Sequence, residues 1–247
     1  AAGKRHVDED HVFGALPQVR VPARAHALHR VVDGNEAERW LERGLSILGR
    51  QVDEQVLSDG GQFELSPMYH ALAFEDLLDL INIAGSFAGV IPERTVRHWR
   101  EVAARMGHWL DVMCHPDGEI SFFNDAAFGV APAPAQLTGY AARLGVEWSA
   151  RDYQLTHLPE SGYVRAQFGD AVLLIDVARV GPDYLPGHAH ADTLSFELSL
   201  AGQRVLVNSG TGCYGISAER LRQRGTAAHN TVVAGGLDSS EVWGGFR

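Results

Sequence analysis

The sequence lacks the features that mark several simple classes of protein. It has only two cysteines, Cys114 and Cys213, in 247 residues, without CxxC spacing. It therefore predicts neither a disulfide framework nor a cysteine-rich metal site. No apolar run approaches the length that a membrane span needs. The first ten residues, AAGKRHVDED, lack the apolar core of a signal peptide, and this alone does not indicate a cytoplasmic location.

Basic residues are also outnumbered: 21 Lys and Arg stand against 31 Asp and Glu, which gives a formal net charge of -10. A general nucleic-acid-binding protein needs a basic face, so we expect no nucleic-acid partner. An acidic ligand would have to be bound by a local basic pocket rather than attracted by the whole molecule. With 45% hydrophobic residues, the chain can bury a large core in one or two domains.

The first half of the chain predicts helices. Residues 1–33 show no sustained period and are expected to be irregular. Four later segments carry helical caps and apolar spacing. They run from Asn35 to the Asp59-Gly60 turn, from Ser66-Pro67 onward, from Pro92 to about Met113, and from Pro134 to Leu144. A second Asp-Gly turn, Asp117-Gly118, indicates a weak repeat, so residues 34–150 are expected to form an array of helical hairpins.

After about residue 150 the pattern changes to that of β-strands. Alternating apolar segments separated by glycine-rich turns predict strands. They are Tyr163–Phe168, Ala171–Val177, Asp192–Leu200, Arg204–Val207 and Asn230–Val233. Residues 151–247 are thus expected to form an antiparallel β domain, giving an α+β multidomain chain. So few strands do not close a sandwich, which suggests a truncated carboxy-terminal part.

The stretch from Gly187 to Asn230 combines this pattern with reactive side chains. A strand over residues 188–200 is expected to bury an apolar face formed by Leu194, Phe196, Leu198 and Leu200. His188, His190 and Asp192 are expected to project together from the face opposite the leucines, an arrangement typical of a site wall. Further along, an extended RLRQR segment would point Arg220, Arg222 and Arg224 the same way, where they could bind an anion or pair with surface acids.

Several separated motifs resemble the heparinase II/III family of polysaccharide lyases. They are DGGQFELSPMYH, HPDGEISFFND, GHAHADTLSFELS, VNSGT and GTAAHNT, within roughly residues 35–247. The resemblance implies a partial α/α toroid followed by an antiparallel β-sandwich portion. It also implies an acidic polysaccharide partner of glycosaminoglycan or alginate type and a periplasmic or secreted location. Oligomeric state stays open.

The implied reaction is β-elimination at a uronic acid. It removes the proton next to the carboxylate and expels the 4-oxygen, so the site needs a carboxylate neutraliser, a base and an acid. The resemblance places Tyr69 as the catalytic acid, with the role of base also open to it, and His188 as base or carboxylate partner. Taken without the resemblance, Tyr69 would be a core aromatic and His188 a turn histidine.

The resemblance also implies a divalent metal, most often zinc, held by three residues. They correspond to His190, Asn208 and His229. Asn208 stands where the family often has an acid, and an amide is a weak zinc ligand. The alternative is a metal-free, hydrogen-bonded cluster. Asp192 would either orient an imidazole or cap the strand.

Further polar residues are candidates for substrate binding. They are Glu64, His70, Asn124, Arg222, Arg224 and Asn230. One departure from the family matters: the Asn-His pair that usually helps to neutralise the uronate does not occur before Asn35, and His11 and His29 are only loose substitutes. The alternative to a lyase is therefore a catalytically impaired, polysaccharide-binding relative. A metal-dependent hydrolase built on the histidines is a third hypothesis.

Overall fold

A computed structural model describes residues 34–149 and 154–246. The prediction for residues 1–33 lies outside the described residues. The chain divides into two compact units, Ala1–Leu48 and Gly49–Arg247. Helix α1, Gly34–Gln55, buries none of its side chains. All candidate site residues lie in the second unit, and the predicted domain boundary near residue 150 stays a prediction.

Three further helices confirm the helical predictions, and they agree to within one residue at every end for which a position was predicted. They are α2 Pro67–Ser86, α3 Glu93–Val112 and α4 Pro134–Arg143. Helix α2 begins where expected, since the Ser66 side chain caps it and Pro67 occupies the first turn. Helix α3 buries Trp99 and Trp109 completely and packs against α2. Among the described helices, none combines the length and apolarity that crossing a membrane requires.

Five antiparallel strands form one sheet whose spatial order follows the sequence. They are β1 Leu155–Leu158, β2 Tyr163–Phe168, β3 Ala171–Asp176, β4 Phe196–Leu200 and β5 Gln203–Leu206. The β4–β5 turn, Ala201-Gly202, has positive φ at both residues, 49° and 76°. This turn type matches the twist of antiparallel strands and joins them with two residues. The predicted strand at Asn230–Val233 is wrong, because that segment is irregular.

The segment before β4 also differs from the prediction. The strand begins at Phe196 rather than Asp192, because residues 192–195 form a turn in which Ser195 N donates to Asp192 O at 2.8 Å. Leu194 adopts φ 65°, outside the β region, and its side chain is 62% exposed. His188, His190 and Asp192 therefore lie on a loop and not on a strand. Their expected position opposite the leucines is wrong, since a continuous strand would put these even-numbered residues on the same face as Leu194.

The two faces of β4 are reversed relative to the prediction. The side packed on the helical part is polar: Glu197 and Ser199 are fully buried, while Phe196 and Leu198 on the other side stay partly exposed. The cause is His115 beyond the end of α3. Its Nε2 lies 2.6 Å from Glu197 Oε2 and its Nδ1 2.7 Å from Ser199 Oγ. Hydrogen bonds to this imidazole satisfy polar groups that would otherwise be costly to bury.

The helices of the second unit and the sheet share one hydrophobic core. Its buried members are Leu65, Trp109, Val112, Met113, Phe123, Leu158, Tyr163, Leu174 and Ala178. Two hydrogen bonds fix the contact: Trp109 Nε1 donates to Ser161 Oγ at 2.8 Å, and Tyr163 Oη donates to Leu65 O at 2.6 Å. This shared core holds the start of α2 close to the loops that enter and leave the sheet.

Candidate functional site

The site begins at the first turn of α2, where Tyr69 lies half-buried. Its backbone N–H donates to the Ser66 side chain at 3.2 Å, so the helix cap also fixes this residue. Its hydroxyl oxygen is 3.0 Å from the hydroxyl oxygen of Tyr214. Two phenols from distant parts of the chain thus meet where both side chains are partly exposed, and this partly exposed place is called the opening below.

His188 stacks directly on Tyr69. The ring centroids are 3.8 Å apart and the planes 26° from parallel. One imidazole nitrogen, Nδ1, is 2.9 Å from Asp125 Oδ2, and the other, Nε2, is 3.8 Å from Glu64 Oε1. The side chain is 17% exposed, which leaves it accessible from the opening.

Asp125 lies beneath these rings with no exposed side-chain surface. It accepts hydrogen bonds from His188, from His190 Nε2 at 2.8 Å, and from both terminal nitrogens of Arg220. Burial alone would raise the pKa of the Asp125 carboxyl. Hydrogen bonds from His188, His190 and Arg220 outweigh burial and hold that pKa well below its usual range.

Asn124 joins the start of α2 to the histidine loop. Its Nδ2 donates to Leu65 O at 3.0 Å, and its Oδ1 accepts from His190 N at 3.0 Å. Its φ of 57° is one that asparagine tolerates better than most residues. The Asn124 amide is thus used for positioning, and its expected contact with substrate stays a prediction.

Tyr214 and Phe246 form an aromatic wall beside His188. Their rings are stacked, with centroids 5.9 Å apart, and His188 meets each of them edge to face. The Arg220 guanidinium carbon lies 5.2 Å from the Tyr214 ring centroid. Burial, followed by the hydrogen bond with Tyr69, raises the pKa of Tyr214 well above the usual value for a phenol. Tyr214 therefore stays protonated and can donate.

A second cluster lies behind Asp125. The rings of His190 and His229 have centroids 5.2 Å apart, and Asn208 Oδ1 is 2.6 Å from His229 Nδ1. Two buried nitrogens, His190 Nδ1 and His229 Nε2, have no hydrogen-bond partner among the described residues. Burial lowers the pKa of His229 to about 4, which keeps its imidazole neutral at physiological pH.

These two unpartnered nitrogens would supply two ligands to a divalent transition metal, whereas a structural zinc site has four. Two imidazoles on one tetrahedral zinc, with Zn–N distances of about 2.1 Å, stand roughly 5 Å apart between ring centres. Asn208 does not fit as a third ligand, because its Oδ1 accepts from His229 and from Ser209 N, and its Nδ2 donates to Ser195 Oγ at 3.4 Å. Among residues 34–149 and 154–246, no group of three His, Cys, Asp or Glu side chains could hold an ion.

Comparison with known proteins assigns the chain to a family. The family profile described as Heparinase II/III N-terminus matches residues 33–142, and the one described as Heparinase II/III-like, C-terminal, matches residues 150–247. The chain belongs to the heparinase II/III family. The resemblance read from the sequence motifs is thereby confirmed.

Similar proteins of known name match most of this chain. A heparin-sulfate lyase of Bacteroides stercoris is 28% identical over 83% of this chain and 34% of its own length. FtsZ-localized protein C of Caulobacter vibrioides is 27% identical over 88% of this chain and 35% of its own length. A solved heparinase III structure superimposes with a TM-score of 0.66 at 25% identity, over 82% of this chain and 34% of that one. The chain spans about a third of the length of these relatives.

His70 was predicted to bind the sugar, but the structure places it inside the core. It is completely buried, its Nδ1 accepts from Gln62 N at 3.2 Å, and its Nε2–H donates to Met106 O at 3.0 Å. Its ring packs against Trp109 with centroids 4.3 Å apart. A side chain inside the helical core with both ring nitrogens engaged cannot contact a polysaccharide.

The buried His70 predicts a pH dependence of stability. Burial lowers its pKa from 6.5 to about 3. The unfolded chain therefore binds the proton first, and stability should fall as the pH decreases from about 6.5 towards 3. Urea unfolding across this range should show a shallower loss for His70→Gln than for the wild type. Equal slopes would contradict a neutral, buried imidazole.

The prediction that Arg220, Arg222 and Arg224 form a row on an extended segment is also wrong. Residues Ala218–Arg224 form helix α5 rather than an extended segment, because Ser217 caps it. Arg222 points into solvent and pairs with Glu219 at 2.6 Å. Arg224 is buried and donates through Nε and Nη2 to Ala189 O. None of these contacts directs the guanidinium of Arg222 or Arg224 at the Tyr69–His188 opening.

Asn230 lies apart from the ring pair. Its Nδ2 donates to Phe196 O at 3.0 Å and Val207 O at 2.8 Å, which ties the ends of β4 and β5. It lines a separate groove of about 530 Å³ together with Thr193 and Leu194. The structure thus brings Glu64, Tyr69, Asn124, His188 and His190 into one site, and leaves His70, Arg222 and Asn230 outside it.

Three residues that shape the site were missed by sequence reasoning. They are Asp125, Tyr214 and Arg220 as the partner of Asp125. Two of them lie in or near motifs of the sequence. Asp125 is the last residue of HPDGEISFFND, and Tyr214 follows VNSGT by three residues. A sequence alone does not indicate that these motifs meet, because 89 residues separate them along the chain.

Proposed function

We propose that the chain carries the active site of a polysaccharide lyase that cleaves a uronic-acid-containing polysaccharide by β-elimination. The observation that carries the proposal is the stacked pair of Tyr69 and His188, with ring centroids 3.8 Å apart. A phenol from the first turn of a helix and an imidazole from a loop before the sheet meet at one opening. General acid-base catalysis needs two such groups within hydrogen-bond reach of the same substrate.

In the proposed mechanism His188 Nε2 removes the proton from the carbon next to the uronate carboxylate. The electron pair of that C–H bond forms the new double bond, and the bond to the 4-oxygen breaks. Tyr69 Oη donates its proton to the leaving oxygen. The imidazolium formed at His188 lies 3.8 Å from Glu64, whose carboxylate stabilises the positive charge. Tyr214 lies 3.0 Å from the Tyr69 hydroxyl and can supply a replacement proton.

The proposed substrate is a glycosaminoglycan of the heparan sulfate type, with alginate as a second uronate polymer. Support comes from the family and from the relatives named heparin-sulfate lyase. We place the helices in an α/α toroid and the sheet in a β-sandwich, and the protein in the periplasm or outside the cell. The apolar, partly exposed side chains of Phe196, Leu198 and Leu200 suit a sheet covered by a second layer.

The second candidate is a polysaccharide-binding relative without turnover. It is favoured by Arg220, which is fully buried against Asp125, so that its guanidinium does not reach a uronate carboxylate. It is also compatible with the Caulobacter relative, whose name, FtsZ-localized protein C, does not refer to cleavage. The opening at Tyr69 would then bind sugar without completing the elimination.

An absorbance screen separates these functions. The full chain is incubated with heparan sulfate, heparin and alginate, and the conjugated double bond is followed in the near ultraviolet. A rise in absorbance is expected with at least one uronate polymer. Retention of polysaccharide without the rise would identify the binding relative, and new reducing ends without the rise would identify a hydrolase.

The metal proposed for this family would be held by His190 and His229. Bound there, it would supply a structural link between the loop before β4 and the segment after α5. Zinc titrated into metal-free protein should bind at one ion per chain, and His229→Ala should lose that binding and unfold at lower temperature. Equal zinc content in wild type and variant, measured by elemental analysis, would exclude this placement.

A further inference from the structure

One buried carboxylate connects the reactive histidine to the histidine cluster. Asp125 Oδ2 accepts from His188 Nδ1 at 2.9 Å, and Asp125 Oδ1 accepts from His190 Nε2 at 2.8 Å. Each oxygen also accepts from one terminal nitrogen of Arg220. The side chains of Asp125, His190 and Arg220 have no exposed surface. Water therefore does not compete for the contacts among these three side chains.

The chemistry of the three partners decides where the protons are. An ionised carboxylate is only an acceptor, and a guanidinium is only a donor. With Arg220 donating to both oxygens of Asp125, each imidazole nitrogen that faces the carboxylate must carry a hydrogen. That places the hydrogen on Nδ1 of His188 and on Nε2 of His190. In the neutral rings, the remaining nitrogens are lone-pair acceptors.

The remaining nitrogens point to different places. His188 Nε2 lies on the side of Glu64, in the opening shared with Tyr69. His190 Nδ1 is buried without a partner among the described residues, and its ring packs beside that of His229. The two histidines are two residues apart in the chain but use opposite ring nitrogens on the same carboxylate. The spacing of the two histidines along the loop does not by itself explain why one uses Nδ1 and the other Nε2.

We propose that Asp125 is a positioning residue that sets the tautomers of His188 and His190 together. It holds His188 with Nε2 free to accept a proton from substrate, and His190 with an unprotonated Nδ1 in the buried cluster beside His229. Arg220 keeps Asp125 in its acceptor state. The use of His188 Nε2 in elimination rests on the proposed lyase function, whereas the two tautomers follow from the contacts of Asp125 alone.

The tautomers can be observed directly in the wild-type chain. Protein labelled with ¹⁵N in histidine is studied without added metal by long-range ¹H–¹⁵N correlation spectra at neutral pH. The signals are assigned with His188→Gln and His190→Gln. His188 should show a protonated Nδ1 and an unprotonated Nε2, and His190 the reverse. Finding either ring in the other tautomer would overturn the proposal, whatever the lyase assays show.

The variant Asp125→Asn tests the cause. The two imidazoles face different oxygens of Asp125, and in asparagine one of these positions is a donating NH₂ group, so one imidazole would face a donor. At least one of the two histidines should change tautomer. In the control Asp59→Asn both tautomers should stay as in the wild type, since Asp59 accepts only from the 160–161 backbone, Ser161 Oγ and Gly61 N among the contacts described.

The outcomes distinguish the tautomer proposal from the lyase proposal. Unchanged tautomers in a folded Asp125→Asn would show that Asp125 does not set them. If this variant does not fold, two other measurements decide whether Asp125 sets the tautomers. They are the assignment in the wild type and the assignment in Asp125→Glu, which keeps the carboxylate. If the tautomers are as expected but the chain forms no double bond, the lyase function is contradicted and the role of Asp125 is still supported.

Discussion

In Tyr69→Phe, the rate of double-bond formation should fall by about 10²–10⁴-fold, which is the usual contribution of one general acid. The phenylalanine ring keeps the stacking area on His188 and removes only the hydroxyl that lies 3.0 Å from Tyr214 Oη. The leaving 4-oxygen would then depart without a proton from this side chain. Initial rates from ultraviolet absorbance at saturating polysaccharide give kcat, and the KM should change little.

Tyr140→Phe is the matched control for this prediction. Its hydroxyl lies on α4, bonded to Asp79 at 2.6 Å and to Asn82 at 3.0 Å, and has no part in the proposed chemistry. Its kcat should equal that of the wild type. Undiminished turnover in Tyr69→Phe would remove Tyr69 from the mechanism, whereas equal losses in both variants would point to a general effect of removing a phenol.

The helices could be predicted because their signals are local. Caps such as Ser66, the Asp-Gly turns and the 3.6-residue apolar spacing all lie within the segment that they define. The strands joined by tight turns were predictable for the same reason, as the agreement for Tyr163–Phe168 shows. Each of these features depends on neighbours a few residues away.

The errors occur where distant contacts override local pattern. The leucine side of β4 was expected to face the core, but His115, far away in the chain, satisfies Glu197 and Ser199 and so buries the polar side. The extended arginine row became a helix because the Ser217 cap and the buried contacts of Arg220 outweigh alternation. Pairing between remote residues is not visible in a single sequence.

The candidate site was partly predictable, and for a different reason. Tyr69 and His188 were chosen through the family motifs, and the structure brings their rings together. Asp125 was overlooked, since an aspartate after an asparagine in a loop reads as a turn residue. Its importance depends on three partners at sequence separations of 63, 65 and 95 residues.

Arg220→Met should destabilise the chain by roughly 3–5 kcal/mol, because it leaves a buried carboxylate without its main counter-charge. Asp125 would keep two imidazole donors but lose both guanidinium contacts, and Gly245 O and Thr211 Oγ1 would lose the donors that Arg220 gives them. Since whole domains are stable by only about 5–15 kcal/mol, this loss should be obvious in urea unfolding at neutral pH.

Arg222→Met gives the comparison on the same helix. Its guanidinium is exposed and pairs only with Glu219 among the contacts described, and exposed pairs of this kind contribute little. Its free energy of unfolding should stay close to that of the wild type. If Arg220→Met were as stable as Arg222→Met, Asp125 would not depend on Arg220, and the carboxylate would have to be neutral or solvated in the folded chain. A large loss confined to Arg220→Met would instead show that helix α5 stabilises the site through the contact of Arg220 with Asp125.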